Sequence, residues 1–147
     1  MAEPTNRTCL GIDYGSRRIG VAKSDPMGMI ASPLMTLEVS SNRDAIDKLF
    51  AIITEYQPDA IVIGYPISMS GEKSRKCQEV DSFIERLQTV FKGPIHKVDE
   101  RLTSAEAARV VHAHGKKTGQ DKKRIDRIAA VIILQQFLDS AARRAES

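Results

Sequence analysis

Three acidic residues far apart in the chain, Asp13, Glu100 and Asp126, fall where carboxylates do chemistry. Asp13 closes the first apolar run and Glu100 follows the last short one, so both are expected at the carboxyl ends of strands. Open α/β sheets place their ligand sites there. Asp126 lies in a helical stretch, and at 100° per residue it falls between Ile133 and Phe137 on an otherwise apolar side. Burying an unpaired carboxylate is costly, so the group must protonate or recruit a cation, either a metal or an Arg. Singly, each acid has an ordinary structural explanation: a turn-forming Asx at Asp13, a solvated loop acid at Glu100, and a first-turn Asp favoured by the helix dipole at Asp126. Together they describe something else. Three carboxylates at one point repel, and hard divalent cations such as Mg²⁺ or Mn²⁺ relieve the repulsion. Such a site suits phosphoryl chemistry, since one metal can acidify a water while a second stabilises the leaving oxygen. Histidine offers no competing site. His112 and His114 are two apart on an expected helix and point to nearly opposite sides. His96 alternates with Val98 in a strand and is expected to be structural.

The elements that must position these acids follow from periodicity. Thr8 to Asp13 and Ile19 to Ser24 read as strands joined by a turn at Tyr14-Gly15-Ser16, and Met29 to Leu37 as a third strand, on the sheet edge because of Pro33. Ile46, Leu49, Phe50 and Ile53 form a helical stripe that begins at Asn42 and is stopped by Pro58. Ala60 to Ile63 is apolar without alternation, as in a parallel strand covered on both faces. Val80, Phe83, Ile84, Leu87 and Phe91 mark a second helix, stopped by Gly93-Pro94 ahead of a strand over Ile95 to Val98. Thr103 and Glu106 have the spacing of a capping box and open a third helix running to Gly115. A fourth spans Lys122 to about Ser140. Antiparallel hairpin strands followed by βαβαβ give an α/β fold: a mixed five-stranded sheet with helices on both faces and the Asp13 strand in the centre.

Composition narrows the class. The chain has 147 residues, 41% apolar and 28% charged, and reads as one globular domain over residues 1–147. That length buries roughly two-thirds of the unfolded surface, so folding requires neither disulfides nor a structural metal. Cys9 and Cys77 are expected as buried thiols. The longest apolar run, Ile128 to Leu134, has seven residues and cannot span a bilayer. The N-terminus has no secretory pattern, so the expected location is the cytoplasm. Residues 1–100 carry 12 basic and 14 acidic side chains, whereas residues 101–147 carry 10 and 5. The basic excess is densest from Lys116 to Arg127, where it marks either a polyanion partner or a solvated loop.

Four stretches carry a resemblance: LGIDYGSRRIGVAKSD (Leu10 to Asp25), VIGYPISMSG (Val62 to Gly71), VDERLTSAEA (Val98 to Ala107) and KKRIDRIAAVIILQQFL (Lys122 to Leu138). In this order, over nearly the whole chain, they resemble the motifs of the YqgF/RuvX family, relatives of RuvC-type Holliday-junction resolvases within the RNase H-like fold. The resemblance implies a nuclease that trims the 5′ end of precursor 16S ribosomal RNA, with Asp13, Glu100 and Asp126 in the catalytic acid positions. Two positions depart from the pattern: Tyr65 stands for a common Leu, and Ser70 for a common Asp before Gly71.

On this reading Asp13 bridges the metals while Glu100 and Asp126 complete their ligands. Arg17, Arg18, Lys23, Arg101, Lys122, Lys123 and Arg124 neighbour the acids in sequence and are candidates for phosphate contacts. Gly15 is expected to permit a tight turn, and Gly20 and Ala22 to leave room on one strand face for packing or nucleic acid. Only 5% of residues are aromatic and none is Trp, so backbone-shape recognition is expected over base stacking. Tyr14 is the best stacking candidate, with hairpin packing as its alternative. The segment Gly64 to Arg75 is read either as a loop closing over substrate or as an ordinary loop. Two other functions fit the same residues: resolution of four-way DNA, which would call for a dimer, or nucleic-acid binding without catalysis. Monomer and homodimer both remain open. An actin-like ATPase is disfavoured, because those proteins close two such domains around the nucleotide.

Overall fold

The computed structural model describes residues 8–67, 70, 71, 73–100 and 119–146. Five strands, β1 (Cys9–Asp13), β2 (Arg18–Ser24), β3 (Ala31–Glu38), β4 (Ala60–Tyr65) and β5 (Ile95–Asp99), form one sheet in the order β3-β2-β1-β4-β5. β1 is central. It pairs antiparallel with β2, with Asp13 opposite Gly20, and parallel with β4. Pro33 lies on the edge strand β3, opposite Ala22 where the register shifts, so its missing N–H costs the sheet little.

Helix α1 (Asn42–Tyr56) starts where Ser41 accepts from the Asp44 backbone N–H at 3.1 Å, while the Ser40 N–H donates to the Asp44 carboxylate at 3.0 Å. This reciprocal cap satisfies two backbone donors at the helix start. The helix ends at Tyr56, two residues before Pro58, with Gln57 left-handed at φ 45° and its N–H bonded to the Ile53 carbonyl. Helix α2 (Arg75–Leu87) starts five residues before Val80, the first residue of the stripe legible in sequence. The final helix, here α3 (Gly119–Glu146), begins before Lys122 and runs past Ser140, so the basic stretch from residue 119 onward is helical. The helix expected from Thr103 to Gly115 lies outside the described residues.

The two faces of the sheet are built from different residue sizes. One presents Leu10, Ile12, Ile19, Val21, Ile61 and Ile63 to α1 and α2, where Leu49, Phe83 and Leu87 are fully buried. The other presents small residues to α3, and that choice sets the spacing. A Cβ on Gly11 would lie 2.6 Å from the Leu134 Cβ, and one on Gly20 would lie 2.0 Å from the Asp126 carbonyl oxygen. The room that Gly20 and Ala22 leave is therefore used for packing, with Ala22 buried against a cluster that includes Ala129, Ala130 and Ile133. Cys9 and Cys77 are buried thiols outside any disulfide, as expected. Among the described residues no helix is long and apolar enough to cross a membrane.

Because the obstacle at Gly20 is backbone, it cannot rotate away. Gly20→Ala should destabilise the fold by at least about 1–3 kcal/mol, the usual cost of overpacking. Urea unfolding measures this, and a wild-type midpoint would contradict the packing described.

Candidate active site

The three acids come to one place through three different constraints. Asp13 is the last residue of the central strand and is 7% exposed. Opposite it stands Gly20, whose bare backbone admits the α3 backbone at Asp126; the strand pairing thus carries Asp126 to Asp13. Glu100 directly follows β5, is also 7% exposed, and its Oε1 would lie 2.8 Å from a Cβ on Gly64 of the intervening strand. Its carboxylate rests over a gap in the sheet surface that a larger residue would fill.

Asp13, Glu100 and Asp126 line a single cleft of about 390 Å³. Gly64 and Pro66 contribute further lining residues, while Arg17, Arg18 and Lys76 bring positive charge. Gly15 shapes the turn at the rim, where a Cβ would meet the Arg18 carbonyl oxygen at 2.6 Å. The Asp126 carboxylate, 14% exposed, accepts from Arg18 Nε at 2.8 Å. The counter-charge that its placement on an apolar side demands is thus an arginine. The cleft offers hard oxygen donors, with no thiol or imidazole among the described lining residues, which is the donor chemistry of Mg²⁺ or Mn²⁺. The fit is one of donor type and shared cleft: among the described residues no three His, Cys, Asp or Glu side chains are drawn into a metal-holding cluster.

The candidate phosphate contacts divide. Arg17 and Arg18 line the cleft. Lys23 instead reaches over the Tyr56 ring at 5.5 Å, and Lys123 pairs with Glu38 at 3.1 Å. Lys122 and Arg124 are exposed on the first turns of α3, outside the cleft lining, with Arg124 3.9 Å from Asp121. Arg101 lies outside the described residues. Tyr14 lines the cleft, but its hydroxyl donates to Asn42 at 2.7 Å and its ring lies 4.5 Å from Phe83. Burial raises its hydroxyl pKa, with Glu79 adding to the shift. Packing is thus the observed role of its ring. His96 stacks on Phe137 at 4.7 Å, a structural contact.

Two further charged residues, Lys76 and Glu79, are not among those the motifs single out. Both belong to α2 and line the cleft. Extending the α2 stripe back one turn to Cys77 would have shown them, because residues 76 and 79 flank that stripe. Tyr65, one of the two residues that depart from the family pattern, has its own network. It is buried, donates to Asp81 at 2.9 Å, and lies under Lys97, whose ammonium pairs with Asp81 at 2.9 Å and sits 4.5 Å from the ring. Burial and the Asp81 contact push the Tyr65 hydroxyl pKa well up, while Lys97 holds Asp81 below the usual carboxylate range. The Cys77 thiol donates to the Pro66 carbonyl at 3.4 Å. These contacts tie the end of β4, and with it the cleft floor, to α2.

A five-stranded mixed sheet in this strand order, with a carboxylate-lined cleft at its strand ends, is the architecture of the RNase H-like fold. The chain belongs to the RuvX family: the family model, described as Holliday junction resolvase, matches residues 7–140. A relative from Roseiflexus sp. (strain RS-1) is 42% identical over 131 residues, covering 89% of this chain and 93% of its own. Another, from Ruminiclostridium cellulolyticum, is 43% identical over 139 residues, covering 94% and 98%. Both are named "Putative pre-16S rRNA nuclease". Among solved structures, T. thermophilus RuvC in complex with a Holliday junction substrate superposes with TM-score 0.60 at 14% identity, covering 92% of this chain and 96% of that one. The fowlpox virus resolvase bound to Holliday junction DNA gives 0.53 at 14% identity, covering 91% and 98%. The likeness to these two structures is one of fold.

Two outcomes follow from this geometry. At Gly64 the nearest obstacles are side-chain ends, the Ile133 Cδ1 at 2.5 Å and the Glu100 carboxylate. Gly64→Ala should therefore spare stability yet shift Glu100, lowering cleavage by about 10- to 100-fold, the scale of an ångström misplacement. A wild-type rate would show that the position of Glu100 is immaterial. Asp81 is depressed in the folded state, so it contributes stability at neutral pH that is lost as pH falls through its folded pKa. Asp81→Asn should lower stability at pH 7 by on the order of 1 kcal/mol or less, given that its side chain is 38% exposed. The gap to wild type should close under acid, as denaturant midpoints against pH would record.

Proposed function

We propose that this chain, acting as a single RNase H-like domain in the cytoplasm, hydrolyses phosphodiester bonds at the 5′ end of precursor 16S ribosomal RNA. Asp13, Glu100 and Asp126 are its catalytic acids, and Mg²⁺ or Mn²⁺ is its cofactor. The observation that carries this reading is the meeting of those three carboxylates in one cleft from β1, from the residue after β5, and from α3. The names of the two relatives support the substrate.

The divalent ion, when bound, supplies the charge that acidifies the attacking water and stabilises the leaving oxygen. The chain's own residues do the rest. Asp13 and Glu100, both nearly excluded from solvent, fix where that charge is held. Arg17 and Lys76, from the hairpin turn and from α2, offer cations to the phosphates on either side of the scissile bond. Exposed Lys122 and Arg124 extend the positive surface along α3. With Tyr14 held against Phe83, the cleft favours recognition of backbone shape over stacked bases. The family description favours a second reading, cleavage of four-way DNA by a dimer.

Asp13→Asn should reduce divalent-ion-dependent cleavage by at least about 10²-fold, the scale seen on removing one preorganised group that stabilises a transition state, with an unchanged circular dichroism spectrum. A variant as active as wild type would remove Asp13 from catalysis. In the same assay precursor rRNA and a four-way junction compete; preference for the junction favours the second reading. Binding that weakens steeply with salt, without turnover on either, would mean a non-catalytic factor.

A further inference from the structure

The Arg18–Asp126 pair is explained neither as a phosphate contact nor as an ordinary surface bridge. Arg18 is the first residue of β2, and its Nε lies 2.8 Å from Asp126 Oδ2. The two side chains differ in freedom. Asp126 is 14% exposed and its backbone is wedged against Gly20, so the residue cannot move bodily. Arg18 is 34% exposed at the cleft rim, where its long side chain has solvent to swing into. A carboxylate this far withdrawn from water, in a cleft that Asp13 and Glu100 also line, calls for a cationic partner. The guanidinium sits where it can do this.

We propose that Arg18 is a positioning residue that takes the place of a divalent cation at Asp126: it holds the carboxylate in the cleft of the cation-free protein and yields it when the ion binds. This rests on the reading of the acids as metal ligands. The exchange needs only side-chain rotation, because Gly20 holds the α3 backbone in place. It also means that cation binding and the Arg18–Asp126 contact compete, a coupling that a purely structural ion pair would lack. Once released, the guanidinium is left at the cleft rim beside Arg17, available to the phosphate backbone.

The test is Mn²⁺ binding to the full chain without nucleic acid, followed by electron paramagnetic resonance, for wild type, Asp13→Asn, Arg17→Gln, Arg18→Gln, Arg18→Lys, Asp126→Asn and the double variant Arg18→Gln/Asp126→Asn. Arg18→Gln should bind Mn²⁺ about two- to fivefold more tightly, the scale of one partly exposed ion pair. Arg18→Lys keeps the charge but loses the directed Nε donor, and should fall between wild type and Arg18→Gln. With Asp126→Asn in place, Arg18→Gln should have at most a small effect. Arg17→Gln measures the contribution of overall charge and should tighten binding less than Arg18→Gln. Equal affinities for wild type and Arg18→Gln, or the same gain with Asp126 removed, would overturn the competition while leaving the metal-ligand reading intact. Absence of any Mn²⁺ binding that Asp13→Asn weakens would overturn both.

Discussion

The closeness of α3 to the sheet is the constraint on which the rest depends. β1, β2 and β4 turn glycines toward this helix, at Gly11, Gly20 and Gly64, and the spaces of the missing side chains are filled by Leu134, by the Asp126 backbone, and by Ile133 with Glu100. A helix on a sheet of ordinary side chains would stand off further, and Asp126 would be lifted away from the strand ends. Ala129, Ala130, Ile133 and Leu134 are fully buried along the same helix, so the apolar contact that stabilises the fold also aims the acid. Stability and site geometry share one interface.

That interface concentrates negative charge. Asp13 and Glu100 are almost excluded from water and Asp126 is nearly so, a burial that costs each carboxylate hydration and has to be offset by partners. Arg18 offsets part of it, and Arg17 and Lys76 bring further positive charge to the cleft. On the proposed reading, the acids that share this cleft create the demand for a divalent ion. The opposite face has no such tension. There Leu, Ile and Phe side chains from β1, β2, β4, α1 and α2 form an ordinary core, and the tie of Tyr65 and Lys97 to Asp81 fixes α2 beside the cleft.

Much of this was legible in the sequence, for physical reasons. The central position of β1 followed from its two partners, the edge position of β3 from Pro33, and the isolation of Asp126 from helical periodicity. The meeting of Asp13 and Asp126 was only half legible: Gly20 announced spare room, but whether packing or a ligand would take it depends on which element crosses that face. The division of the basic residues was not legible at all. Arg17, Lys23 and Lys123 are alike in sequence, and only three-dimensional placement sends one to the cleft, one to Tyr56 and one to Glu38. Lys76 and Glu79 were missed because the α2 stripe was started one turn late, at Val80, although buried Cys77 belongs to it. The departure at Tyr65 could be noticed but not interpreted, since Asp81 and Lys97 come from other elements.

The central claim is that Asp13, Glu100 and Asp126 work as one unit. Single-turnover cleavage rates of Asp13→Asn, Glu100→Gln and Asp126→Asn, set beside the triple variant, address it most directly. Groups that act together lose function together, so each single substitution should reach nearly the residual rate of the triple. Losses that multiply independently, or one carboxylate whose removal leaves the rate untouched, would contradict it.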